Sequence, residues 1–285
     1  MNIGNRNTGR ENFFMGKRLR IAVFIVFFIG IVLTAFRYFK FVSKTVYEES
    51  ASHLTEVFHQ SNNVLNELAN KNLTYLHMWG EYLKKVSDES EIRDYIDKAQ
   101  EEAGFLYFYF LSADGNYKML TGEAGYLGLQ ENLEDKITLG EDIITNAVVP
   151  GKQQMLVFAS PQSHGSYQGF EYDAIAIAYE NADIVDVLDI SAFNGNAKSY
   201  VVHPDGRVVI DHSFEAWGTV YNFFGVLREH SNISEKEILE LSEKFKERRT
   251  DTMLVNLDGS NYYLVYGSSE CQDWIFLGLV QADIV

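Results

Sequence analysis

The chain has almost no cysteine and almost no proline. A single Cys271 among 285 residues excludes an intramolecular disulfide and a cysteine-built zinc site. Cys271 stands in "SSECQDWIFLG", at the entry to an apolar run, and reads as a small residue near a strand end. Three prolines and no low-complexity tract exclude long disordered linkers. The usual catalytic signatures are missing too: G-x-G-x-x-G, a P-loop, G-x-S-x-G and H-E-x-x-H do not occur. The seven histidines are scattered and none has metal-ligand spacing. The residues therefore point to no enzyme, no cofactor and no metal centre.

Positive charge is scarce everywhere except at the start. Residues 1–45 hold eight basic side chains and one acid, Glu11, a balance of +7. The rest of the chain then carries −23 of the total −16. A body this acidic is a poor partner for nucleic acid or anionic lipid. Between the two lies "IAVFIVFFIGIVLTAF", sixteen uncharged residues from Ile21 to Phe36. As a helix the run measures about 24 Å, and Tyr38 and Phe39 extend it while Arg20, Arg37 and Lys40 reach the headgroups. Five basic residues precede the run and three come after it, which places the N-terminus in the cytoplasm. The run is longer than a signal-peptide core and no Ala-x-Ala site comes after it, so an uncleaved anchor is favoured over a cleaved signal.

Beyond the anchor the hydrophobic pattern changes period twice. From Val46 to Val86 apolar residues recur three or four apart, among them Phe58, Val64, Leu65, Leu68, Leu73, Leu76, Trp79 and Leu83, which predicts one long stalk helix. Its stripe can bury against its own domain or a second copy. Residues 91–103 predict a second helix, ended at Gly104. Then "GFLYFYFLSADGNYKMLTG" alternates as strand, Asp114-Gly115 turn and strand. "GEAGYLG" reads as a loop, and "QQMLVFASPQSHGSYQGFEYDAIAIAYE" gives two strands around a Ser/Gly-rich loop. "NADIVDVLDI" is helix-like. "SYVVHPDGRVVIDHS" repeats the strand, D-G turn, strand plan, with Gly206 lying 91 residues after Gly115. Two helices come next, the second opened by a Ser234/Glu237 capping box, and the chain closes on strand, Asp258-Gly259 turn, strand, strand.

The expected fold class is α+β: an N-terminal transmembrane helix, a long stalk helix and two tandem modules with antiparallel sheets. The expected boundaries are a cytoplasmic N-terminus at 1–18, the signal anchor at 19–40, stalk and second helix at 44–103, a membrane-distal module at 104–190 and a proximal module at 191–285.

Two places hold candidate chemistry. His203, Asp205, Asp211 and His212 cluster in sequence, but D-G is first a hairpin signal, so Asp205 reads as a turn residue. The other is an aromatic and polar lining. Tyr107 and Tyr109 share one strand face, Phe108 and Phe110 the other, and Tyr172 and Asp173 lead a later strand. With Tyr126 from the glycine-rich segment, these residues suit a small polar or cationic ligand. The competing reading packs these tyrosines against the long helix.

Taken together, the anchor, the stalk, the "ADG" and "HPDGRVVID" hairpins and the closing "WIFLGLVQADIV" resemble the double Cache sensor domains of bacterial transmembrane receptors. "GFEYDAIAIAYENADIVDVLDISAF" with "SYVVHPDGRVVI" after it is most similar to sensors of histidine kinases or diguanylate cyclases in Firmicutes. The resemblance implies PAS-like modules, a ligand in the distal one, a homodimer through the stalk and a site in the bacterial cell membrane. The amino-acid-binding branch of that family carries Arg-x-Trp-Tyr before a Tyr and an Asp. That part is absent, since no Arg lies between Arg93 and Arg207, and an α-carboxylate would lack its bidentate clamp. The sequence shows no second apolar segment and no effector, so it reads as a receptor without its output domain. The alternative is a membrane-anchored, partner-binding protein with no small ligand.

Overall fold

The structure, a computed structural model, describes residues 8–129, 132–148, 154–188, 197–211, 217, 220–269 and 272–282. The chain forms two compact units, Met1–Ser52 and His53–Val285. The first element, α1 (Thr8–Leu83), supplies the whole described part of the first unit. There Phe27, Phe28, Ile31, Leu33 and Phe36 are exposed. Five side chains of the apolar run, at 21–23, 25 and 26, lie outside the described ones. Among the described residues no helix is long and apolar enough to cross a membrane.

In the second unit the residues of α1 from Phe58 onward have a buried face. Phe58, Asn62, Leu65, Ala69, Asn72, Leu76, Trp79 and Leu83 recur every three or four residues and are all buried. Helix α2 (Glu89–Ala103) comes next. The Asp88 carboxylate accepts the Ser90 and Glu91 amides at its start, and Gly104 closes it at φ +76°, a left-handed conformation glycine adopts without strain.

The first sheet comprises β1 (Tyr107–Leu111), β2 (Asn116–Met119), β3 (Ala124–Tyr126), β4 (Gly128–Leu129), β5 (Ile143–Val148), β6 (Gln154–Tyr167) and β7 (Phe170–Glu180). A short helix, α3 (Leu133–Leu139), precedes β5. The strand order is β3-β2-β1-β7-β6-β5-β4, and all pairs are antiparallel. "GEAGYLG", expected as a loop, instead supplies β3 and β4; Gly125 lets the Tyr117 hydroxyl approach within 2.9 Å of where a Cβ would stand.

Helix α4 (Asn181–Leu188) leads towards the second sheet, and the rest of the expected helix lies outside the described residues. That sheet comprises β8 (Ala197–Val202), β9 (Val208–Asp211), β10 (Asp251–Leu257), β11 (Ser260–Ser268) and β12 (Ile275–Gln281). Its order is β10-β11-β12-β8-β9, again antiparallel. Between β9 and β10 come α5 (Phe223–His230) and α6 (Glu235–Lys246), the latter opened by the expected Ser234/Glu237 capping box. Helix α5 is shorter than the expected span from Glu215.

Both sheets share one plan. A first hairpin (β1–β2 or β8–β9) and a last hairpin (β6–β7 or β11–β12) are joined because the last strand pairs with the first. Both sheets also lay one face on α1. Phe276 of β12 meets Phe58 edge-on at 5.1 Å, and the Asn62 amide donates to the Ser268 carbonyl at 3.3 Å. Farther along the helix Phe108 of β1 lies 6.2 Å from Trp79, and the Tyr179 hydroxyl donates to Asn72 Oδ1 at 2.9 Å.

Candidate functional site

The other face of each sheet differs in what covers it. On the second sheet, Tyr200, Val202, Leu264, Ile275 and Leu277 pack with Phe223, Leu227, Leu241 and Phe245 from α5 and α6 into one apolar core. On the first sheet Tyr109 and Leu111 share a core with Ala174, Ala176 and Ala178, whose small side chains leave room for the tyrosine rings. Leu127, Leu133 and Ile143 complete it.

The five expected site residues separate into different surroundings. Tyr107 and Tyr109 stack at 5.9 Å, as alternation predicted, and Tyr109 meets Tyr117 at 4.8 Å. Only 1% of Tyr109 is exposed, and burial pushes its phenol pKa upward. Tyr126 sits on β3 and is 62% exposed. Tyr172 belongs elsewhere: its ring lies 4.9 Å from Phe110, whose partner Tyr167 stacks on it at 4.3 Å. The Asp173 carboxylate is engaged by the fold. It accepts the Ala113 amide at 3.0 Å, tying the β1–β2 turn, and His164 Nδ1 lies 3.1 Å from its other oxygen.

The His203 segment does not assemble a catalytic group among the described residues. Asp205 accepts the Arg207 amide at 3.0 Å and binds its guanidinium at 2.8 Å, a turn role. Asp211 accepts the Val220 amide at 3.0 Å, and His203 is buried against Trp274. His212 and Cys271 lie outside the described residues.

A cleft of about 480 Å³ opens on the Tyr172 side of the first sheet. Its walls are the end of α1, the start of α2 and the β6–β7 hairpin, and Lys84, Ser87, Glu89, Ser163, His164 and Tyr172 line it. The segment expected as a Ser/Gly-rich loop is strand almost to its tip. Strands β6 and β7 run to a two-residue turn in which Gln168 has φ +50° and Gly169 φ +74°, the primed-turn signature. A bulge between Pro161 and Gly165 turns Ser163 and His164 to the cleft. His164 is held from both ring nitrogens, by Asp173 at 3.1 Å and Glu171 at 2.8 Å. The Asp173 hydrogen bond, with Glu171 beside it, raises the imidazole's pKa. Lys84 pairs with Glu81 at 2.6 Å. A sequence signal for this site existed in His164, Glu171 and Asp173, which an antiparallel hairpin brings together across its turn.

Known structures share this architecture. The ligand-binding domain of the Pseudomonas aeruginosa PAO1 amino acid chemoreceptor PctB, in complex with L-Gln, superposes with a TM-score of 0.57 at 14% identity, covering 81% of this chain and 91% of that one. The sensory domain of the Campylobacter jejuni chemoreceptor Tlp3 with isoleucine bound gives 0.53 at 8% identity, over 85% and 96%. The extracellular domain assigned to a histidine kinase, mmHK1S-Z3, gives 0.54 at 12%, over 81% and 95%. No family model and no curated protein matches the sequence. The chain therefore has the fold of these extracellular sensory domains, at identities that carry the fold alone.

Proposed function

We propose that the chain is the extracytoplasmic, small-molecule-sensing part of a bacterial membrane receptor whose output is a histidine kinase or diguanylate cyclase. The observation that carries this reading is the extent of the shared fold. More than nine-tenths of each compared sensory domain is covered, along with more than four-fifths of this chain. A polar cleft lies where the first module, made of 104–190, meets the end of α1 and the start of α2. On the second sheet α5 and α6 fill the face that points away from α1, and the α1 side is packed by Phe276 against Phe58.

Membrane attachment belongs to the same proposal. The uncharged run Ile21–Phe36, its basic flanks and the exposed Phe27, Phe28 and Phe36 support an uncleaved anchor. A homodimer through α1 is part of it as well. Val64 and Met78 are exposed on the helix while its opposite side holds the two sheets. In this mechanism a ligand changes how the first sheet sits on α1, and the helix passes that change toward the membrane.

The test is a thermal melt of the full-length chain in detergent, monitored by tryptophan fluorescence, against amino acids, amines, carboxylates, nucleosides and sugars. A specific ligand at about 100 times its Kd stabilises by about 2.7 kcal/mol and raises the midpoint by several degrees. A flat panel favours the second reading, an anchored partner-binding protein. The packed aromatic core around Tyr109 is the observation on that side.

A further inference from the structure

The basic groups of the cleft are already committed. Lys84 is paired with Glu81, and both nitrogens of His164 are taken by Asp173 and Glu171. What remains is a set of hydroxyls. Ser87, Ser163, Ser166 and Tyr172 line the cleft, and none of their hydroxyl groups hydrogen-bonds to another described residue. Glu89, in the first turn of α2, lines the cleft without an ion pair among the described residues.

Tyr172 sets this apart from an ordinary polar surface. Only 7% of the residue is exposed, yet its phenol has no hydrogen-bond partner among the described residues and borders the cleft. The ring is packed in the fold, while the hydroxyl is not one of the buried polar atoms left without a partner and so faces the solvent of the cleft, ready to bond a ligand. Its position is also built rather than incidental. Gly165 faces the ring, and a Cβ there would meet the phenol carbon at 2.4 Å and the hydroxyl at 2.5 Å. The strand has left out a side chain where the tyrosine lies.

We infer that this cleft binds a neutral polyhydroxyl compound, a mono- or disaccharide. The inference deepens the sensing proposal and rests on it. Sugar hydroxyls both donate and accept, as the four free hydroxyls require. Glu89 accepts from a neighbouring pair of sugar hydroxyls, and Tyr172 donates from the floor. Among the described residues lining the cleft no free cation remains to hold a carboxylate, and the excess of carboxylates around His164 repels one. The volume of about 480 Å³ lies in the range of small-molecule sites. The site lies on the helix-side face, at the junction of α1, α2 and the β6–β7 hairpin, so a sugar there would bridge the end of α1 to the first sheet.

The experiment is the melt of the full-length chain with D-glucose, D-galactose, D-ribose and maltose, set beside L-glutamine, succinate and putrescine. At least one sugar raises the midpoint by several degrees. Tyr172→Phe leaves the ligand-free midpoint unchanged, since it removes a hydroxyl without a partner, and weakens the sugar about tenfold. Glu89→Gln weakens it similarly. Sugar binding untouched by both variants overturns the cleft and leaves the sensing proposal standing. A shift by L-glutamine, succinate or putrescine alone, lost in both variants, overturns the polyhydroxyl class. A lower ligand-free midpoint in Tyr172→Phe shows the hydroxyl serving the fold and overturns its role. No shift with any of these probes overturns this inference, and a flat result across the wider panel with nucleosides overturns the sensing proposal as well.

Discussion

His203 shows how the surroundings of one residue set a response to pH. Burial lowers its pKa, the nearby Arg207 charge adds to that, and Asp273 and Asp205 oppose it. The unfolded chain, with an ordinary histidine near 6.5, takes up its proton first on acidification. Stability from this group is therefore present at neutral pH and lost as pH falls from about 6.5 to the lowered native value. His203→Phe, beside Trp274, should flatten the fall of the melting midpoint as pH drops below about 6.5. An unchanged slope in that variant would remove His203 as the cause. Tyr179 gives a second test. Its hydroxyl donates to Asn72 deep between α1 and the first sheet, so Tyr179→Phe should cost about 1–3 kcal/mol in urea unfolding. Combining it with Asn72→Leu should cost less than the two single changes summed, because both partners are then apolar. Sequence could assign Tyr107 and Tyr109 to one face because strand alternation is strict. It could not show that Tyr172 lies against Phe110, because that depends on the bulge in the neighbouring strand. Nor could residue type separate Tyr109, enclosed by Tyr117 and three alanines, from Tyr172, which borders an opening.

Among the elements, α1 was legible in outline and not in its buried face. Counting apolar residues placed Val64, Leu68 and Leu73 in the stripe, whereas the packed positions also include Asn62, Ala69 and Asn72. Small and amide residues hold those places because each sheet approaches closely and offers hydrogen-bond groups, as Ser268 does to Asn62. Leu65 is 0% exposed and Val64 37%. Leu65→Glu should cost at least about 4 kcal/mol or prevent folding, since it buries an unpaired charge and opens a gap. Val64→Glu, one position away, should change the melting midpoint little. If α1 also pairs two copies, the Val64 variant alone should lower the sedimenting mass without lowering the midpoint. The long strands and the three D-G turns were legible because alternation and turn chemistry are local; Gly115, Gly206 and Gly259 all have φ above +80°. The elements β3, β4 and α3 were not, since two or three residues carry no period and a seven-residue helix too little of one.

For the whole molecule, the tandem repeat was visible as two hairpins 91 residues apart, and the structure extends it to matching strand orders. The contacts that join the modules were not visible. Asn146 and Gln154 of the first sheet both donate to the Val208 carbonyl of the second, at 3.1 and 3.3 Å, a pairing across more than fifty residues. These bonds and the shared α1 predict one unfolding transition for residues 53–285. Calorimetric and van't Hoff enthalpies should agree, and two resolved steps would show the modules to be independent. A chain ending at residue 190 should be unstable, because Phe58 and Asn62 lose Phe276 and Ser268. The strand orders also bear on synthesis. Each sheet places its last-made strand in the middle, β7 between β6 and β1 and β12 between β11 and β8. On the ribosome β8 and β9 emerge early but cannot join β10 and β11 until β12 has left the exit tunnel. The second sheet is thus assembled after translation has passed residue 281, with α1 waiting, half covered, throughout.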